Sequence, residues 1–226
     1  MKNKQNDFLI LLAEAQLNDS AIPNIQKLSQ ELGVSTASVR EQLEVARSLG
    51  FVDVKTKRGI QKKPFSLTQP LILAMQYGVK VEPQVFEQYS DLRRHIEISY
   101  WYDAVPLLTK MDLTQLQSFI NLAFKKILES PLVVPYDEHR DFHMTIYRPL
   151  HNPIVSSILE TYWELYRDSG LQFVADQEYL STVWGQHQKI LDAVAQREFE
   201  EGFNVLISHM DLFKKANKPV LKQRFE

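Results

Sequence analysis

Residues 22–61 read IPNIQKLSQELGVSTASVREQLEVARSLGFVDVKTKRGIQ. Asn24 stands where a side-chain oxygen caps a helix that buries Leu28 and Leu32, and Gly33 follows where a left-handed residue stops it. Ser35 caps a further helix with Val39, Leu43 and Ala46 inward, ending at Gly50. Phe51-Val52-Asp53-Val54, a basic turn from Lys55 to Gly59, and Ile60-Gln61-Lys62 then form a two-stranded hairpin with Gly59 at its bend. Upstream, Phe8, Leu11, Leu12 and Ala15 make one helical stripe within residues 7–17, closed by the polar Asn18-Asp19-Ser20. Three helices and a hairpin in about 65 residues specify a winged helix-turn-helix.

That motif meets DNA by laying the start of its second helix in the major groove. Ser35, Thr36 and Ser38 can donate there to phosphates or bases, and Arg40, one turn in, suits a phosphate or a guanine edge. Arg47, Lys55, Lys57, Arg58 and Gly59 complete the expected DNA-contacting set, the wing following the flanking backbone or minor groove. Charge is divided accordingly. Residues 1–70 carry 10 Lys/Arg against 7 Asp/Glu, a net +3, and the remainder carries 16 against 21, a net −5. The run Lys55, Lys57, Arg58, Lys62, Lys63 has no acid after Asp53, a local footprint for a polyanion.

The 226 residues, 44% hydrophobic and 24% charged, suit a folded chain of two domains rather than a disordered or collagen-like one. The absence of cysteine excludes disulfides, zinc ribbons, iron–sulfur clusters and thiol catalysis, so any metal must be held by His, Asp or Glu. The longest apolar run, Phe8 to Ala13, is too short to cross a bilayer and no signal peptide is evident, so a cytoplasmic protein without a membrane partner is expected.

Residues 1–66 are assigned to the winged domain, 67–82 to a linker and 83–218 to a second domain that carries helical periodicity only. Leu113, Leu116, Ile120, Ala123 and Ile127 form a stripe behind a capping box of Thr109 and Asp112. Pro135 opens another helix in its first turn, and Asn152-Pro153 opens the next. Val183, His187, Ile190 and Val194 form one more stripe, and Phe199, Phe203, Leu206, Met210 and Phe213 the last. The fold class is therefore mainly α: a winged helix-turn-helix followed by an all-helical antiparallel bundle.

Four histidines lie on inward faces of three of these helices. His139 and His143 are four apart, His187 shares the Val183 stripe, and His209 falls between Leu206 and Phe213. Such a bundle either buries scattered hydrogen-bonded histidines or gathers them around a divalent metal, and the number of them favours the metal. Trp101, Tyr162, Trp163, Tyr166 and Trp184 are candidates to line a cavity, although core packing or a dimer interface would use them equally well.

Residues 22–61 resemble the DNA-binding domain of the GntR family of bacterial transcription regulators, through Ile22-Pro23, Leu28, Leu32-Gly33-Val34-Ser35, Val39-Arg40-Glu41, Leu43, Leu49-Gly50 and Arg58-Gly59. Gln26 and Thr36 stand where that family commonly has basic residues, and Ile25 where it has an acidic one. Residues 86–213 resemble the FCD ligand-binding domain of the FadR subfamily, through Leu92-Arg93, Ile96-Glu97, Asp112-Leu113, Leu116, Phe142-His143, Asn152-Pro153, His187, Ile190, Ala193 and His209. The resemblance implies a metal held by three histidines, matched by His143, His187 and His209, and one aspartate, whose place His139 takes here. It further implies a small carboxylate docking at that metal, with Arg93 gripping the acid or else pairing with Glu97. With four imidazoles the expected ion is zinc or nickel.

A metal held by histidines also suits a hydrolase, and His139-Arg140-Asp141-Phe142-His143 has the spacing of a metalloprotease helix. Arg140 occupies the place where that chemistry needs a glutamate base, and neither a phosphate-cradling glycine loop nor a nucleophile elbow is present. The sequence therefore points to a homodimeric regulator, more often a repressor in the families it resembles, that binds a pseudo-palindromic double-stranded operator and answers to a small organic acid. The alternatives are the same architecture without metal, with the effector bound directly in the helical cavity, and more remotely a metal-dependent enzyme or a protein-interaction module.

Overall fold

The computed structural model describes residues 4–55, 59–169 and 176–225. The chain separates into two compact units, Met1–Leu71 and Ile72–Glu226.

In the first unit, α1 (Lys4–Leu17), α2 (Ile25–Leu32) and α3 (Thr36–Ser48) precede a hairpin of β1 (Val52–Lys55) and β2 (Gly59–Lys62). Asn24 Oδ1 accepts from Lys27 N at 3.0 Å to start α2. Gly33, at φ +62°, stops it by donating back to the last turn, a conformation in which any Cβ would be strained. Ser35 Oγ accepts from Ser38 N at 3.1 Å to start α3, so the two caps set the tight turn between the helices. Ser29 Oγ closes that turn with a bond to Val34 O. Phe8, Leu12, Leu28, Val39, Leu43, Ala46 and Val52 form the core beneath. The strands pair antiparallel, Val52 opposite Lys62 and Lys55 opposite Gly59, so Gly59 (φ +66°) begins β2 rather than forming the tip of the bend.

The stretch expected as a linker contains a helix, α4 (Thr68–Val81), which crosses the boundary between the units. Pro70 sits in its first turn, where a missing N–H breaks no helical bond, and Ser66 Oγ accepts from Thr68 N at 3.1 Å. The second unit continues with α5 (Gln84–Ser99), the short α6 (Trp101–Ala104), a 3-10 turn (Val105–Leu107), α7 (Lys110–Ile127) and α8 (Tyr136–Tyr147). A second 3-10 turn (Arg148–Leu150), α9 (Pro153–Ser169), α10 (Gln177–Ala195) and α11 (Phe199–Phe225) complete it. The expected capping box is present: Thr109 N donates to Asp112 Oδ2 at 2.8 Å while Asp112 N donates to Thr109 Oγ1 at 3.2 Å. Pro135 stands at the cap of α8, one residue before its first turn, and Asn152 Oδ1 accepts from Ile154 N and Val155 N to start α9.

α10 packs between α7 and α11, while α8 bridges α7 and α9 and α9 rests on α5. The main core holds Leu116, Ile120 and Ile127 of α7, Phe142 and Ile146 of α8, and Val183 and Ile190 of α10. Phe199, Phe203 and Met210 pack against it and Leu206 is fully buried; the Phe213 side chain lies outside the described residues. Trp101 is fully buried, not at a cavity. Its Nε1 donates to Phe199 O at 2.9 Å, and its ring lies so near Gly202 that a Cβ there would stand 2.9 Å from it.

Candidate metal centre and ligand cavity

The four histidines converge. One ligand atom from each of His139, His143, His187 and His209 lies within 4.8 Å of all the others, although the residues come from α8, α10 and α11. The i, i+4 spacing on α8 puts the rings of His139 and His143 5.1 Å apart, and the α10 and α11 rings face them with His187 and His209 centroids 4.3 Å apart. His143 and His187 are fully buried, His209 nearly so, and His139 is the least buried of the four.

The surroundings decide which nitrogens carry protons. Glu97 on α5 accepts from His143 Nδ1 at 2.7 Å. Burial alone would raise this carboxyl, but the charge of Arg93 and the hydrogen bonds from His143 and Arg93 hold it down at about 2, so it acts only as an acceptor. The His187 Nδ1 donates to Val183 O at 2.9 Å, and a carbonyl likewise cannot donate. Neutral His143 and His187 therefore both turn a bare Nε2 lone pair inward, and these two atoms stand 3.2 Å apart. Burial, first, and the neighbouring imidazoles and Arg93 push His139 and His209 well below the usual histidine range; burial does the same for His187, and it also lowers His143 against the opposing pull of Glu97. Two facing acceptors in a site that resists protonation call for a cation between them.

The spacing fits one. Ions bound by imidazole at about 2.0–2.1 Å in a tetrahedron have ligand nitrogens about 3.3–3.4 Å apart. The His143–His187 and His143–His209 Nε2 separations are 3.2 and 3.3 Å. His139 Nε2 is buried without a hydrogen-bond partner, which leaves its lone pair for the same purpose. The donor set of four neutral imidazoles suits zinc, nickel or copper ahead of magnesium or calcium.

Arg93 does not choose between its two expected roles. Its Nε binds Glu97 Oε1 at 2.5 Å, and its guanidinium lies against Tyr162 and Trp163, 4.3 and 4.4 Å from the ring centroids. Nη2 is buried without a hydrogen-bond partner. Arg93 also borders a cavity of about 380 Å³ whose lining includes His139 and His209. Tyr162, Trp163, Tyr166 and Trp184 line this cavity as the sequence allowed, and Tyr136 and Tyr179 join them. Among the functional groups, Glu97 is the one that sequence reasoning missed. It was legible only as a salt-bridge partner four residues from Arg93, because its contact with His143 joins two helices 46 residues apart.

In the first unit the expected DNA-contacting residues fall into two groups. Thr36, Ser38 and Arg40 lie at the start of α3, Arg40 exposed and without an ion-pair partner among the described residues. Several of the set, Ser38 among them, are already engaged. Ser35 Oγ caps α3, Ser38 Oγ accepts from Gln42 Nε2 at 3.2 Å, Arg47 grips Glu44 through two bonds, and Lys55 lies 3.5 Å from Asp53. Lys62 of the basic run is turned inward, with Nζ 2.8 Å from Asp19 and 3.3 Å from Ala15 O. Lys57 and Arg58 lie outside the described residues.

A winged helix-turn-helix joined in one chain to a helical unit with a histidine-bordered cavity defines a DNA-binding transcription regulator with an effector domain. Residues 88–212, more than half of the chain, match the family model described as the FCD domain, and the chain belongs to that family, within the GntR-type regulators. It is 22% identical over 198 residues to the Uxu operon regulator of Haemophilus influenzae, covering 85% of this chain and 72% of that one. It is 23% identical over 199 residues to the HTH-type transcriptional regulator LutR of Bacillus subtilis, covering 84% and 87%. The fold is similar to that of Streptococcus agalactiae GntR, with a TM-score of 0.70 at 14% identity over 95% of this chain and 99% of that chain. The relatives are transcription regulators, and this chain is a regulator rather than an enzyme. Among the described residues no helix is long and apolar enough to cross a membrane.

Proposed function

We propose that this protein is a repressor whose operator affinity is set by a small carboxylate bound beside a divalent ion, zinc or nickel, held by His139, His143, His187 and His209. The observation that carries the metal is the pair of bare Nε2 atoms of His143 and His187 facing each other at 3.2 Å. When bound, the ion supplies a positive centre beside the cavity, which attracts an anion. Glu97 and the Val183 carbonyl hold two imidazoles in the tautomer that ligation needs, and Arg93 keeps Glu97 ionised while offering its remaining N–H groups at the cavity.

On the DNA side, Thr36, Ser38 and Arg40 at the start of α3 read the major groove, with Ser35, Arg47, Lys55, Lys57, Arg58 and Gly59 around them. The operator is pseudo-palindromic and the protein a homodimer in the cytoplasm, because two winged heads must meet two half-sites about one helical turn apart. Residues 1–66 act as the reading head, 67–82 connect it, and 83–218 bind effector and dimerise. Effector binding favours an arrangement of the heads that does not fit the operator, and DNA disfavours effector by the same factor.

The experiment is elemental mass spectrometry on tag-free protein purified without chelator, beside operator-shift titrations with and without carboxylates. About one zinc or nickel ion per chain and release of DNA by an acid are expected. Metal-free protein with an unchanged shift would leave a regulator of the same architecture without the proposed switch.

A further inference from the structure

We propose that the effector is an aryl monocarboxylate, an acid with one charge and an aromatic body, rather than a sugar acid, a short hydroxy acid or a dicarboxylate. The inference rests on the reading of the 380 Å³ cavity as the effector site and specifies its ligand.

The first argument is the wall. Tyr136, Tyr162, Trp163, Tyr166, Tyr179 and Trp184 supply six aromatic faces to the cavity, and Val134, Pro135, Leu180, Val183 and Met210 add apolar surface between them. Aromatic rings offer stacked and edge-on contacts to another ring, and to a row of hydroxyls only the few polar atoms at their edges, such as the unpartnered Trp163 Nε1. The phenols do little to change this. The Tyr136 hydroxyl is spent on Trp163 O. A polyhydroxylated acid would bury more donors and acceptors than the unpartnered N–H groups of the lining, Arg93 Nη2, Arg94 Nε and Trp163 Nε1, can meet, and these offer nothing to its O–H donors.

The second is size. A volume near 380 Å³ lies in the lower part of the range for drug-sized ligands, about 300–1,000 Å³. A two- or three-carbon acid held beside the histidines would leave most of the aromatic wall without contact.

The third is charge. The cavity lining also carries Glu87, Asp91 and Asp211, of which Asp211 is 3.7 Å from Arg94 and Asp91 3.4 Å from His95. The histidines are neutral, so the positive charge beside them is that of Arg93 and, in loaded protein, of the ion; Arg94 also lines the cavity, next to Asp211. One carboxylate is therefore attracted to Arg93 and the ion, whereas a second on the same ligand would meet a lining that carries three acids.

The test is calorimetric titration of the full-length chain, loaded with Zn(II) and in parallel stripped of metal, with phenylacetate, glucuronate, lactate and succinate. Phenylacetate is expected to bind the loaded protein about tenfold or more tighter than the other three and to change tryptophan emission, because Trp163 and Trp184 form the wall. Equal or tighter binding of glucuronate, lactate or succinate overturns the aryl assignment while leaving the carboxylate switch standing. No binding by any of the four, in protein that holds metal and shifts DNA, overturns the carboxylate reading itself. Leu180→Trp fills the cavity from α10, and Val134→Trp fills it from the segment before α8. Folded protein of either kind that binds phenylacetate as the parent does would place the ligand elsewhere and overturn the proposal.

Discussion

His143 and His187 are the residues on which the centre depends, because each has a partner behind it that fixes which nitrogen faces inward. His139 has its inward Nε2 unpartnered and forms part of the cavity wall. His143→Ala and His187→Ala are therefore expected to abolish metal retention through gel filtration, while His139→Ala keeps a weaker site with three imidazoles. Equal loss in all three variants, measured by elemental analysis, would make the four ligands equivalent. Glu97→Gln should lower metal affinity about 10–100-fold, because it removes the charge that holds the His143 tautomer and leaves Arg93 buried without its anion. Competition with a chelating dye reads that change, and an affinity equal to the parent's would mean that Glu97 only balances Arg93. The clustering of the four histidines was legible in the sequence because a helical period puts each on an inward stripe. Glu97 and the carbonyl behind His187 were not, since orienting partners follow from packing between helices and from rotamers.

Burial also makes these histidines a source of acid sensitivity. His187 and His209, both enclosed, have pKa values pushed well below the ordinary 6.5. As pH falls through about 6.5 the unfolded chain takes up protons at these positions and the folded chain does not, so folding stability is full above that pH and lost below it. Each such group costs about 1.4 kcal/mol per pH unit below the unfolded value. Metal-free protein is expected to show a thermal midpoint that drops between pH 7.5 and 5.5, and the His187→Gln variant a shallower drop; coincident curves for the two would remove His187 from the account.

At the scale of elements, the helices that announce themselves in sequence are those with local caps. Asn24, Gly33, Ser35 and the Thr109–Asp112 box each act within a few residues of their own position, so their geometry is written in the chain order. α4 lacks such a signal. Its inward stripe, Leu71, Ile72, Met75 and Val79, is only half-buried, its outer face carries the apolar Leu73, Tyr77 and Val81, and Pro70 in its first turn reads as a break. Trp101 could not be placed from sequence either, because its socket is the bare backbone of Gly202 on α11, a hundred residues away. Gly202→Ala is expected to cost about 1–3 kcal/mol by overpacking against that rigid indole. Thermal denaturation of the variant checks this, and a midpoint equal to the parent's would mean that α6 and α11 move apart freely. In α3, Arg40 and Arg47 are distinguished by what they already hold. Arg40→Ala should weaken operator binding by about 1–3 kcal/mol if it reads a base edge, while Arg47→Ala, which releases Glu44, should do less. The reverse order in a DNA-shift titration would assign the reading to the second half of α3.

Across the whole molecule, opposite charges are divided along the chain in a way that separates the two binding functions. The +3 of residues 1–70 suits a polyanion, and within the −5 of the remainder Arg93, with an ion held by the neutral histidines, would be the local positive centre for a small anion. DNA binding should therefore weaken steeply with added salt, since each phosphate contact releases counterions, whereas binding at an enclosed site is screened less. Coupling between the two is reciprocal by thermodynamic necessity: if the acid weakens operator affinity by some factor, saturating operator must weaken the acid by the same factor. Removing the metal tests where that coupling enters. Chelator-treated protein that still shifts operator DNA but no longer responds to the acid would put the ion between effector and switch. Treated protein that responds with the full factor would assign the grip on the carboxylate to Arg93, since this side chain reaches the cavity from α5 whether or not an ion is bound.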